Sequence, residues 1–113
     1  MTETQTVAND IKDLRKNIYN SFKAFAYEKI TVNNTVKFLT VPDNARYAMM
    51  KFTSDATGDS ANYLEFKLPV DISNGIPVSG NTVFDVTDTI NLVGFNIIQS
   101  QAGTHTLHVQ YYK

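Results

Sequence analysis

Two histidines, two pairs of aspartates and a set of tyrosines are the residues in this chain whose types could do chemistry, and their spacing decides what is open to them. His105 and His108 lie in Thr104–Tyr112, a run that alternates as a strand. Residues three apart on a strand point to opposite faces, so the two rings do not share a metal unless a bulge intervenes. Asp55 and Asp59 sit in one polar loop and offer hard oxygens of the kind calcium takes. Calcium needs about six to eight such oxygens, and the loop has no spaced run of acids to supply them, so a solvated turn is expected. Asp85 and Asp88 suggest the carboxylate pair of a sugar-cleaving enzyme. Asp88 falls at a turn, however, and neither has a neighbour that would raise its pKa as acid catalysis requires. No serine stands in a G-x-S-x-G elbow. The chain has no cysteine, which removes disulfides, thiol catalysis and cysteine-based zinc sites. The expectation is a protein that is not an enzyme, with no cofactor and no metal.

Tyr47, Tyr63, Tyr111 and Tyr112 remain as a possible aromatic platform, for sugars or for a protein partner, because one end of a tyrosine is apolar and the other forms hydrogen bonds. In the last strand Leu107, Val109 and Tyr111 share one face and His108, Gln110 and Tyr112 the other. One of the two final tyrosines therefore faces away from the core, and Tyr112 is expected to make an external contact.

The elements that would position these residues divide the chain in two. Residues 1–6 are polar. From Val7 the apolar residues fall at Val7, Ile11, Leu14, Ile18, Phe22 and Phe25, a one-sided stripe that predicts an amphipathic helix over residues 7–26. Asp10 and Asp13 come early and Lys23 and Lys29 late, the order a helix dipole prefers. Ile11, Ile18 and Phe25 also occupy one heptad slot and Val7 and Leu14 the other, although Ser21 interrupts it. The stripe can pack on the chain's own sheet or mediate association, and both remain open.

After Tyr27 the period drops to two. Ile30–Val32 and Val36–Val41 flank Asn33-Asn34-Thr35, which reads as a hairpin turn. Ala45–Thr53 follows, with Ala48, Met50 and Phe52 inward. Residues 54–60 read as a polar loop. Tyr63–Leu68 places Leu64, Phe66 and Leu68 on one face. Asn74-Gly75, Pro77 and Ser79-Gly80 make residues 71–81 a shaped loop, and Thr82–Val86, Thr89–Val93, Phe95–Gln99 and Thr104–Tyr112 complete the strands, with Gly94 marking a bulge or bend. The fold class expected is mainly β: an antiparallel β-sandwich of about seven strands, jelly-roll or Ig-like, with a barrel as the alternative, preceded by the helix. Residues 1–29 would be an arm and helix and residues 30–113 the sandwich domain.

A length of 113 residues allows one core. Net charge is −1, which gives no case for nucleic acid. The charge is unevenly spread, +2 over residues 7–29 and −3 over residues 30–112, so the helix could meet an acidic surface or its own domain. No apolar run approaches the roughly 20 residues of a membrane span, and the first residues lack a secretion pattern, so no membrane partner and no export are expected.

Val41-Pro42-Asp43-Asn44-Ala45-Arg46-Tyr47-Ala48 sets a Val-Pro before two alanines three apart at the start of a strand. Gly75-Ile76-Pro77-Val78-Ser79-Gly80 leads to a strand ending near Phe84, and Gly103-Thr104 leads to the terminal Leu107–Tyr112. On these motifs residues 41–112 resemble a recurrent small virion protein of tailed bacteriophages. Asn62-Tyr-Leu-Glu-Phe-Lys67 departs from that pattern, with neither its Arg-containing strand nor its Asp-Gly turn, and the helix lies outside it. The resemblance implies a capsid decoration or cement protein, a homotrimer that binds the major capsid protein on the exterior of the virion after synthesis in the host cytoplasm. A carbohydrate- or host-binding module of a head or tail fibre, or a neck or tail adaptor, is the alternative. Ile11, Leu14, Ile18, Phe22 and Phe25 of the stripe, with Tyr112, are the expected contact residues.

Overall fold

The computed structural model describes residues 22–66, 68–71 and 73–113. They form eight strands and one short helix: β1 (Ala24–Val32), β2 (Lys37–Phe38), β3 (Tyr47–Ser54), β4 (Asp59–Leu64), β5 (Ile76–Ser79), β6 (Thr82–Thr87), α1 (Thr89–Gly94), β7 (Asn96–Gln99) and β8 (His105–Tyr112). Two four-stranded sheets result, sheet A in the order β1-β8-β3-β6 and sheet B in the order β2-β7-β4-β5. Every pairing is antiparallel. The protein is thus mainly β, with two antiparallel sheets face to face as in a sandwich. Only β4 and β5 are consecutive strands paired in one sheet, so the other connections cross between sheets.

The core follows from alternation. Ala48, Met50 and Phe52 of β3 and Leu107, Val109 and Tyr111 of β8 all point inward and are almost completely buried. They meet Ala61 and Ile97 from sheet B. Tyr63, Phe84 and Phe95 stack between the layers, with Tyr63 and Phe84 centroids 4.8 Å apart. Burial of the β3 and β8 residues, each worth roughly 1.5–3 kcal/mol for a large aliphatic or aromatic side chain, explains why these two strands pair at the centre of sheet A.

The N-terminal helix expectation divides at the boundary of the described residues. Residues 7–21 lie outside them. Residues 24–26 are strand, not helix, because β1 pairs with β8 along its length and Lys23 and Lys113 exchange backbone hydrogen bonds of 2.9 and 3.0 Å just beyond it. β1 also spans the expected boundary between residues 29 and 30.

Asn33-Asn34-Thr35 does not close a hairpin. β1 and β2 belong to different sheets, and the segment carries the chain across, held by an Asn33 side chain that accepts from the Thr35 N–H (3.0 Å). The strand expected over 36–41 is only two residues long.

Thr89–Val93 is helical rather than extended. The Asp88 side chain accepts from the Ile90 N–H, and the Leu92 N–H donates to the Asp88 carbonyl, so a capped turn captures the segment. Ile90 and Leu92 would share a face in a strand, but Ile90 is 75% exposed and Leu92 is buried. Gly94 ends this helix and makes no bulge.

β4 starts at Asp59 and stops at Leu64, leaving Phe66 and Leu68 outside the core. The expected loop over 71–81 contains β5. Pro77 is compatible with β5 because this is an edge strand, where one row of N–H groups has no ladder partner to lose.

Candidate functional site

The outer face of sheet A is one candidate surface. β1, β8, β3 and β6 present Tyr27, His108, Gln110, Met49, Lys51 and Val83 around a shallow hollow of about 200 Å³. Tyr27 and Val83 are 60% and 58% exposed. The Tyr27 hydroxyl lies 2.7 Å from Nδ1 of His108, with the rings stacked at 6.3 Å. The hydroxyl donates when the imidazole is neutral with its proton on Nε2. A flat face with a fixed aromatic, aliphatic neighbours and polar tips can bury area against a protein or stack on a sugar ring.

The second candidate lies at the end of the sandwich where Lys23 pairs with Lys113. Phe22 stacks on Tyr47 (5.8 Å, interplanar 6°) and carries the Arg46 guanidinium 4.9 Å above its ring. Tyr112 meets Tyr47 edge-on at 5.1 Å. Phe22, Arg46 and Tyr47, with Thr87, Asp88 and Thr89, surround a hollow of about 360 Å³. Beside it, sharing Asp88 and Thr89, runs a groove of about 750 Å³ between α1 and the strand-end segment at 65–66, with Phe66, Ile90 and Val93 as its apolar walls and Glu65 at its margin. Partial burial pushes the Glu65 carboxyl above its ordinary value.

The groove has a specific architect. Asn96 is fully buried on the outer side of sheet B. Its Oδ1 accepts from the Val70 N–H (2.7 Å), and its Nδ2 donates to the carbonyls of Phe66 (3.2 Å), Leu68 (3.2 Å) and Gly94 (3.1 Å). One side chain therefore ties α1 to the 65–70 segment. Gly94 permits the approach, since a Cβ there would stand 2.7 Å from the Phe66 Cα.

At the opposite end His105 is buried and stacks on Phe52 (5.9 Å). Its Nε2 faces the Gln101 carbonyl at 2.8 Å and its Nδ1 faces Ser54 Oγ at 2.8 Å. A carbonyl only accepts, so the proton sits on Nε2 and the Ser54 hydroxyl donates to Nδ1. Ser54 Oγ also accepts from the Ala56 N–H (3.0 Å), so this serine–histidine pair clamps two loops to β3 and β8. Within the inner layer, the Tyr111 hydroxyl donates to the Glu28 carboxylate, which also accepts from the Thr40 N–H (3.0 Å). Burial first, then the Glu28 bond and charge, push the Tyr111 hydroxyl pKa far upward.

Among the expected contact residues, Ile11, Leu14 and Ile18 lie outside the described residues. Phe22 is half-buried against Arg46 and Tyr47. Phe25 sits at the irregularity in β1 pairing, partly packed on the core with the Lys113 ammonium 5.0 Å from its ring. Tyr112 is half-buried on the outer face as the alternation required. Tyr47 and Tyr111 are buried and Tyr63 stacks between the sheets, so the four tyrosines do not form one platform; the exposed aromatic on sheet A is Tyr27. Asp55 accepts from the Thr104 N–H (2.8 Å) and Asp59 from the Ser79 hydroxyl (2.9 Å), each engaged in loop bonds. Among the described residues no three of His, Asp and Glu come together in a metal-holding group. Sequence reasoning missed Asn96 and the groove; a lone Asn after Gly94-Phe95 carries no local signal of the distant Phe66 and Leu68 carbonyls. No protein-family model, no curated protein and no solved structure matches this chain.

Proposed function

We propose that this protein is a structural component of a bacteriophage particle, a decoration or cement protein that binds the head exterior between subunits of the major capsid protein. It works as a homo-oligomer, a homotrimer on the virion resemblance, and acts by adhesion with no turnover of substrate. The observation that carries this reading is the strand order, β1-β8-β3-β6 facing β2-β7-β4-β5. That winding is a jelly roll, an eight-stranded fold that recurs in viral capsid and lectin domains, and the link from fold to role is by analogy. The resemblance of residues 41–112 to small phage virion proteins points the same way.

In this reading the flat outer face of sheet A, with Tyr27, Met49 and Val83, covers part of a neighbouring capsid subunit. At about 25 cal/mol per Å² of apolar surface, an interface of several hundred Å² contributes on the order of several kcal/mol before ordering costs, and repetition over a symmetric shell multiplies it. Co-sedimentation with purified heads tests the assignment. Binding in hundreds of copies per head, weakened by Tyr27→Glu with Val83→Glu, is expected; a monomer with no affinity for the particle overturns it.

The hollow beside the exposed Tyr27, with Lys51, His108 and Gln110 as polar neighbours, favours a second reading: a carbohydrate-binding module of a head or tail fibre. Glycan-array binding abolished by Tyr27→Ala, without head binding, would select it.

A further inference from the structure

The outer face of sheet A carries charge as well as exposed apolar side chains. Strand register sets Lys29 of β1 opposite His108 of β8, and His108 opposite Lys51 of β3, so three basic side chains form one row across the sheet. Val83 of β6 ends that row, and the next row runs Tyr27, Gln110, Met49 and Asp85. Both lysines are exposed, and alternation turns them outward with Tyr27 and Val83. Glu28, beside Lys29 in sequence, points the other way and receives the Tyr111 hydroxyl. Asp85 is the one carboxylate in the two rows, and it stands on the far edge strand from Lys29. The two rows are therefore net positive, on a chain whose formal net charge is −1.

The cations are spread across the face. Neighbouring strands lie about 4.8 Å apart, which places the Lys29 and Lys51 backbones about 10 Å from each other, a spacing that suits several carboxylates over an extended surface. Shape agrees. Four strands make the face about 19 Å wide, and the eight residues of β3 and β8 make it about 26 Å long, a footprint of about 500 Å². The two surfaces of such a contact would together bury about 1,000 Å², the lower end of a specific protein–protein interface. The hollow of about 200 Å³ beside Tyr27 is a small part of that area. The face is also set in advance, because Nδ1 of His108 holds the Tyr27 hydroxyl at 2.7 Å and fixes the exposed ring beside the basic row.

We propose that this face docks on an acidic patch of the major capsid protein, with Lys29 and Lys51 against its carboxylates and Tyr27 and Val83 against the apolar surface between them. The inference rests on the head-binding reading and names the chemistry of its partner. Complementary charge speeds encounter and sets orientation, and the contact weakens as salt shortens the Debye length.

Purified heads and the full chain test it. The parent protein should co-sediment with heads and lose affinity about tenfold between about 0.05 and 0.5 M sodium chloride. Lys29→Glu with Lys51→Glu should lower affinity at low salt about tenfold and flatten the salt dependence, while Lys29→Arg with Lys51→Arg keeps both. Both lysines are exposed, so the variants should match the parent by circular dichroism. A carbodiimide, which joins an amine to a carboxylate as an amide, should link Lys29 and Lys51 of the parent to Asp and Glu side chains of the capsid protein, located by mass spectrometry. Head binding that survives both the glutamate pair and rising salt, or that gives no such crosslink, overturns this inference and leaves the head-binding reading standing. Failure of the parent to bind heads overturns both, as does binding to polygalacturonate, an acidic polysaccharide, in place of heads.

Discussion

Replacing Asn96 with alanine removes four hydrogen bonds made by a fully buried side chain. The largest loss is at Val70, whose N–H donates to Asn96 Oδ1 at 2.7 Å and which is itself 1% exposed. A buried donor left unpaired costs about 1–3 kcal/mol. The carbonyls of Phe66 and Leu68 belong to exposed residues and can turn to solvent once the segment loosens, so they add less; the Gly94 carbonyl is on a buried residue and adds a fraction more. A total of about 2–3 kcal/mol follows, equivalent to roughly a 10 °C fall in Tm for a domain of this size. Urea unfolding followed by far-ultraviolet circular dichroism measures it, with an unchanged m-value, and native-state hydrogen exchange should show Val70 losing protection first. Asn96→Asp sharpens the test. It keeps an acceptor for Val70 but turns a carboxylate toward three carbonyl oxygens, so at neutral pH it must be worse than alanine. A loss below about 0.5 kcal/mol for alanine, the range of ordinary surface changes, or an aspartate variant milder than alanine, would refute the account of Asn96 as the tie between α1 and the 65–70 segment.

Tyr111→Phe should cost about 1–2 kcal/mol, because a buried hydroxyl leaves the Glu28 carboxylate. Since the folded-state pKa of Tyr111 is raised, its contribution is complete below the unfolded value of 10.0 and is lost as pH climbs past it; the variant's stability should decline less at alkaline pH, and ultraviolet titration of the parent should show Tyr111 ionising only on unfolding. Asp71, held below its ordinary value of 3.8 by bonds from the Ser73 hydroxyl and the Ser73 and Asn74 N–H groups, has the opposite sign. Its contribution is present above that value and lost as pH falls through the lowered one, so Asp71→Asn should be less stable at neutral pH and lose part of the acid limb of the stability curve. Gly94→Ala should cost about 1–3 kcal/mol by thermal melting, because its Cβ would meet the backbone of Glu65 and Phe66 at 2.7–2.8 Å, and the wall of the groove must move.

The strands at the centre of the fold were legible from residue order. β3 and β8 alternate cleanly because each buries one face, and that alternation alone put Ala48, Met50, Phe52, Leu107, Val109 and Tyr111 inside and separated His105 from His108. Asn44 and Gly58 both take positive φ, which asparagine and glycine tolerate better than other residues. What failed was decided elsewhere in the molecule. Phe25 and Ala26 fit a helical stripe, but pairing with β8 makes them strand. Ile90-Asn91-Leu92 fits a strand, but the Asp88 cap and the packing of Leu92 make it helix. Asn33-Asn34 carries turn chemistry whether it closes a hairpin or crosses between sheets, and only the partner strands choose.

The candidate surfaces divide in the same way. Phe22 and Tyr112 were marked by type and spacing, whereas their seats beside Tyr47 and Arg46 depend on strands β3 and β8 meeting. Tyr27, Ile90 and the Asn96 tie carried no local mark at all. Periodicity reports which side of its own element a residue faces. Whether that side is covered is set by residues tens of positions away, so only the assembled sheets could leave Tyr27 and Ile90 open and bury Asn96.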